Sequence, residues 1–146
     1  MSRRVIELPD DFPTIVTLCG STRFQDAYEK ATREETLKGN IIISVGLFGH
    51  QEGLDMGGEV KAKLDELHLR KIDLADCVLV VSDGAGYIGI STRGEVDYAI
   101  RTGKYVRWQH HTAEVNYHAL AEREKTQCRD TTENAGSSSG VDSAQC

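Results

Sequence analysis

Glu95 is the residue best placed by its neighbours to do chemistry. It follows a glycine-rich stretch, Gly84, Gly86 and Gly89, which separates an apolar run ending at Val81 from the segment Ser91-Thr92-Arg93-Gly94-Glu95. Glycines there let the backbone approach a ligand closely and adopt positive φ. Ser91 or Thr92 is expected to cap the helix that follows, making Glu95 its N3 or N4 residue. A carboxylate in that position is a candidate nucleophile, kept ionised by the helix N-terminus. The same spacing also fits a plain capping box, in which Glu95 serves only the helix.

A second candidate is Gly20-Ser21-Thr22-Arg23, directly after the apolar run Thr14 to Cys19. Backbone N–H groups beside a helix N-terminus form an anion site, and the planar fork of Arg23 suits a phosphate. The alternative is an ordinary helix cap followed by a surface arginine. Gly84-x-Gly86-x-x-Gly89 also matches the dinucleotide fingerprint as a pattern. That fingerprint belongs to a first βα turn with an acidic ribose ligand roughly 20 residues on. Here that region is Lys104 to Trp108, so the dinucleotide reading is rejected. Asp83 and His50 are further polar candidates near the same turns, and Tyr87 is placed either to stack on a base or to cover the loop.

The elements that must carry these residues follow from periodicity. Thr14 to Cys19 and Ile41 to Val45 are β-rich runs, and Cys77 to Val81 is apolar at consecutive positions, as in a strand covered on both faces. A helix is expected from a cap at Ser21 or Thr22 through about Lys38, closed by Gly39 and Asn40. A second spans Glu59 to Ala75, with Val60, Leu64, Leu67 and Ile72 on its inner face. A third runs from Ser91 to Thr102, before a short strand at Lys104 to Trp108. A fourth covers Ala113 to Lys125, with Val115, Ala119 and Leu120 inward. The loop GLFGHQEGLDMGG carries five glycines in thirteen residues, a composition typical of functional or mobile loops. The order βαβαβαβα implies right-handed crossovers and an α/β three-layer sandwich around a mostly parallel, Rossmann-like or flavodoxin-like sheet of four to five strands.

Composition narrows the function classes. The 146 residues suit one domain, residues 1–126 with a loose lead-in over 1–12, and a polar tail over 127–146 expected to be disordered. No apolar run approaches the roughly 20 residues of a membrane span. The opening residues lack a signal peptide's apolar stretch, which predicts a cytoplasmic protein. A net charge of −6 argues against binding a nucleic-acid polymer while leaving room for a local basic pocket. Cys19 and Cys77 fall in apolar strands and read as small hydrophobes. No CxxC or Cys/His spacing calls for a metal, and His110, His111 and His118 read as surface residues. No cofactor is expected.

Three segments, CGSTRF, HLRKIDLADCVLVV and GISTRGEVDYAIRTGKYV, resemble the nucleoside 2-deoxyribosyltransferase superfamily, which includes the 2'-deoxynucleoside 5'-phosphate N-hydrolases. The similarity spans residues 14–107, and Asp76, Glu95, Val96, Ala99, Gly103, Lys104 and Val106 match its most specific order. The resemblance implies cleavage or transfer of an N-glycosidic bond in a small nucleoside or nucleotide, without a cofactor, by a homodimer or higher homo-oligomer. It implies that Glu95 attacks C1' and forms a glycosyl-enzyme, as in retaining glycosidases. It assigns Ser21 and Arg23, with Gly20, to the 5'-phosphate, and the loop of Gly89, Ser91 and Thr92 to the second side of that grip. Two positions depart from the family pattern: His68 stands where an aspartate assists proton transfer, and Gly89 where an aspartate or serine is usual. A histidine titrating near pH 6 to 7 is expected to protonate the leaving base. With both polar partners changed, the alternative is a non-catalytic nucleotide-binding or sensor module on the same fold.

Overall fold

The computed structural model describes residues 6–49 and 57–134, with side chains as far as residue 129. Strand β1 (Ile15–Cys19), helix α1 (Gln25–Leu37), strand β2 (Ile41–Ile43), helix α2 (Gly58–Leu74), strand β3 (Cys77–Val80), helix α3 (Ile90–Arg101), strand β4 (Tyr105–Trp108) and helix α4 (His111–Asn134) follow in chain order. The four strands form one all-parallel sheet in the order β2-β1-β3-β4. This is the expected Rossmann-like or flavodoxin-like α/β fold.

Alternation along the central strands sorts the core into two layers. Val16, Leu18, Cys77, Leu79 and Val81 face one way and pack on Tyr28 and Ala31 of α1. Cys19, Val78 and Val80 face the other way, against Ile72 of α2, Val96 and Ala99 of α3, and Tyr117 of α4. A strand covered on both faces has no polar side to expose, which is why residues 77–81 are apolar without a break. Full burial of each large side chain here contributes about 1.5–3 kcal/mol.

Polar ties fix the crossovers. Arg107 on β4 grips Glu35 of α1 with two nitrogens, Nη1 to Oε1 at 3.1 Å and Nη2 to Oε2 at 2.7 Å, while Lys38 and Asn40 also donate to Glu35. The Arg107 bonds lead in holding the Glu35 carboxyl down at about 2. Lys104 Nζ donates to the carbonyls of Asp73 and Ala75 at the end of α2. The Gly-Lys pair of the family-like motif thus serves structure here.

Several helix details differ from the sequence expectations. Neither Ser21 nor Thr22 caps α1, whose N-cap is Phe24, and neither Ser91 nor Thr92 caps α3, whose N-cap is Gly89; no side-chain cap bond forms at either end. On α2, Val60 and Leu67 are exposed, and the buried positions are His68 and Ile72. Of the expected stripe, Ile72 packs in the core while Leu64 and Leu67 line a cavity. On α4, Val115 and Ala119 are exposed while Ala113 and Tyr117 are buried. This helix also continues to Asn134, past the expected start of the tail. His50 and residues 135–146, the rest of the expected tail, lie outside the described residues. No helix among the described residues is long and apolar enough to cross a membrane.

Candidate functional site

In a sheet of order 2-1-3-4, the chain leaves β1 toward one face and β3 toward the other, which opens a crevice beyond their carboxyl ends. Both glycine turns converge there. They border a cavity of about 690 Å³ lined by Gly20, Ser21 and Arg23 after β1, by Tyr87, Gly89, Ser91, Thr92 and Glu95 after β3, and by His68 from α2. This volume lies within the ~300–1,000 Å³ of small-molecule sites. Every expected site residue among those described lines it except Asp83, whose Oδ1 instead accepts a hydrogen bond from the Tyr87 backbone N–H at 3.2 Å.

The Gly20 turn is held from below. Tyr28 Oη donates to the Gly20 carbonyl at 2.8 Å, and the Val81 N–H donates to the Cys19 carbonyl at 2.7 Å. A Cβ on residue 20 would lie 2.4 Å from the Val81 oxygen, so glycine is required by close approach. Above the turn, Arg23 Nε donates to Ser21 Oγ at 3.1 Å, and the guanidinium stacks on Tyr87 with its carbon 4.6 Å from the ring centroid. Arg23 and Ser21 are therefore a preassembled pair at the mouth. Tyr87 orients that arginine, a third role beside the two considered from sequence.

Glu95 lies in the second turn of α3, too far along for a capping box, and its side chain points into the floor of the cavity. It is 14% exposed, and its Oε2 is buried with no hydrogen-bond partner. Burial is the main reason its pKa is pushed up to about 8; a hydrogen bond with Cys19 opposes this, and Asp65 adds to it. The expectation that the helix N-terminus keeps Glu95 ionised is thus overturned. Desolvation outweighs a partial charge more than one turn away.

His68 also departs from its expected titration. Burial, then Lys71, pulls its pKa down to about 4, against a hydrogen bond with the Leu18 backbone that favours the protonated ring. Its Nε2 lies 3.9 Å from Glu95 Oε2 and 3.4 Å from Cys19 Sγ. Near pH 7 the His68–Glu95 contact therefore joins a neutral imidazole to a largely neutral carboxyl. The titration of His68 is thus shifted below the range near 6 to 7 expected of it.

Sequence reasoning missed four lining or underlying residues. Lys61 Nζ bridges Asp65, at 2.6 Å, and Ser91 Oγ, at 3.0 Å. Lys71 Nζ donates to the Ser44 carbonyl. Cys19, read as a core hydrophobe, is buried directly against Glu95 and His68. Lys61, Asp65 and His68 share spacings of three and four on α2, which was a legible signal for one face. Cys19 carried none.

These shifts set an expected pH dependence of stability. Glu95 binds its proton more tightly folded than unfolded, so stability falls as pH rises between about 4.5 and 8. His68 binds its proton more weakly when folded, so stability rises between about 4 and 6.5. The two cancel from 4.5 to 6.5, leaving a net loss of about 2 kcal/mol from 6.5 to 8. Below 4.5, His68 and Glu35 both lose stability as pH drops. The melting temperature should plateau between 4.5 and 6.5 and fall on either side; a flat response from 6.5 to 8 would contradict a protonated Glu95.

Comparison with protein-family models and with curated protein sequences returned no match.

Proposed function

We propose that this protein is an enzyme that cleaves or transfers the N-glycosidic bond of a nucleoside 5'-monophosphate, with Glu95 as nucleophile. The observation that carries this reading is the Glu95 carboxyl, its Oε2 buried without a hydrogen-bond partner, at the floor of a cavity whose mouth holds Ser21, Arg23 and Lys61. Three cationic side chains, Arg23, Lys61 and Lys71, line the cavity of a chain with net charge −6, beside Asp65 and a Glu95 that is largely neutral near pH 7. This local excess of positive charge supports a small anionic ligand.

The chemistry follows from the surroundings of Glu95. In its ionised form, Oε2 bonds to C1' while the bond to the base breaks and its electron pair leaves with the base. A carboxylate removed from water opposes an oxocarbenium-like charge strongly, and the ester that forms is neutral and suits a buried floor. Water or a second base then takes the sugar. His68 stays uncharged and acts as a wall that fixes the carboxyl, so the proton for the leaving base comes from elsewhere. The exposed apolar rim at Leu47, Leu67 and Ile90 is consistent with a second copy of the chain closing the mouth. The absence of a charged general acid at His68 favours the second reading, a nucleotide-binding module without turnover.

Incubation with a panel of nucleosides and 5'-monophosphates, with free base read by chromatography, separates the two readings. Release of base supports the enzyme; tight binding without release supports the module. Arg23→Ala should weaken monophosphate binding by roughly 10–100-fold, as expected for a lost charge-assisted pair, and should leave free nucleosides nearly unaffected. Equal losses for both ligand types would remove the phosphate from the role of Arg23.

A further inference from the structure

Three side chains from separate elements meet beneath the cavity: Cys19 at the end of β1, His68 on α2 and Glu95 on α3. Among the described residues, one ligand atom from each lies within 4.8 Å of the others. We infer that Cys19 Sγ, His68 Nε2 and Glu95 Oε2 form a three-ligand site for a thiophilic divalent cation of the zinc type, and that its occupancy silences the glycosyl chemistry by engaging Glu95.

The donor set is that of an open tetrahedral zinc site, with thiolate, imidazole and carboxylate present and a fourth position left for solvent or ligand. Bond lengths of about 2.0–2.3 Å imply ligand separations of roughly 3.3–3.6 Å. The Cys19–His68 distance of 3.4 Å already fits, and the His68–Glu95 distance of 3.9 Å needs only a small closing movement. The orphaned Glu95 Oε2 is an independent pointer, because a buried carboxylate oxygen without a partner is costly unless something fills that need. The His68 ring is steadied by a backbone hydrogen bond with Leu18, a form of support found behind metal-bound histidines. Binding would release the Cys19 thiol proton, and the Glu95 proton where present, to solvent. The incoming charge of two then meets two anionic ligands. His68 and Glu95 both line the cavity, which supplies the entry path.

The inhibitory half rests on the proposed glycosyl reading; the metal site does not. The test uses the full chain without a histidine tag. Cobalt(II) is titrated in, and zinc is competed against a chromogenic chelator. One equivalent should bind, with a thiolate-to-cobalt charge-transfer band and the ligand-field bands of four-coordinate cobalt. Cys19→Ser should abolish the charge-transfer band, and His68→Ala should weaken zinc by at least about tenfold. The wild-type cobalt spectrum reports thiolate ligation by itself should either variant fail to fold. Stoichiometric zinc should also stop release of base, and chelation should restore it. Absence of stoichiometric binding, or binding unchanged in both variants, overturns the site even if base is released. Binding with the stated spectrum but no base release after chelation sustains the metal site and instead sinks the glycosyl reading.

Discussion

Glu95→Gln is expected to lower turnover by at least about a thousandfold, roughly 4 kcal/mol of barrier, while raising thermal stability above pH 8. The two effects have one cause. The amide cannot form the ester, so the covalent route closes. It also removes a carboxylate whose ionisation is penalised by burial at the cavity floor. At pH 9 the wild-type protein must hold that anion with one oxygen unpartnered, and glutamine need not. The gain should be a few degrees or more in Tm. The fall in stability from pH 6.5 to 8 should vanish in the variant, leaving the rise between 4 and 6.5 due to His68 and the rise below 4.5 due to Glu35. In the wild type, kcat/KM should climb with pH toward about 8 as Glu95 ionises. Loss of stability together with loss of turnover would make Glu95 a packing residue. Unchanged turnover would remove it from the chemistry altogether.

Gly20→Ala should be the most damaging small change to the scaffold. The added methyl would sit 2.4 Å from the Val81 carbonyl oxygen, a backbone atom that cannot swing aside. Relief requires parting the ends of β1 and β3, which costs about 3 kcal/mol or more and lowers Tm by roughly 10 °C. Ser21 and Arg23 ride on that turn, so monophosphate binding should fall with stability. Gly84→Ala is the matched control: an added Cβ there meets nothing within 4 Å. Its Tm should stay within about a degree or two of wild type. Similar losses in both variants would show that the damage comes from glycine replacement in general and not from the β1–β3 approach.

How much of this was legible in the chain depends on what each signal measured. The unbroken apolar run at residues 77–81 could only be a doubly covered strand, and it lies at the centre of the sheet. The glycine turns after β1 and β3 brought Ser21, Arg23, Gly89 and Glu95 to one cavity, because parallel strands present the same ends on the same side. What periodicity misjudged was which apolar stripe faces inward. Val60 and Leu67 on α2 read as core, yet a helix beside a cavity has two apolar demands: Leu67 borders the opening, and Val60 is exposed. The ionisation of Glu95 was misjudged for a related reason. A local rule about helix ends was applied to a charge whose surroundings are set by strands far away in sequence. Cys19 was invisible as anything but a hydrophobe, because its neighbours His68 and Glu95 come from two other elements.

The clasp at the opposite end of β1 bears on how the protein is made. The Ile15 N–H donates to Asp76 Oδ2 and the Asp76 N–H donates to the Ile15 carbonyl, both at 2.8 Å and 61 positions apart in sequence. On a ribosome, β1 is synthesised long before the strand that registers it. Until then its only neighbour in the sheet is the three-residue β2. The nascent chain therefore carries an unpaired, largely apolar β1 edge, with Thr17 its one polar residue, over the 61 positions that separate Ile15 from Asp76, the interval in which such edges attract other chains.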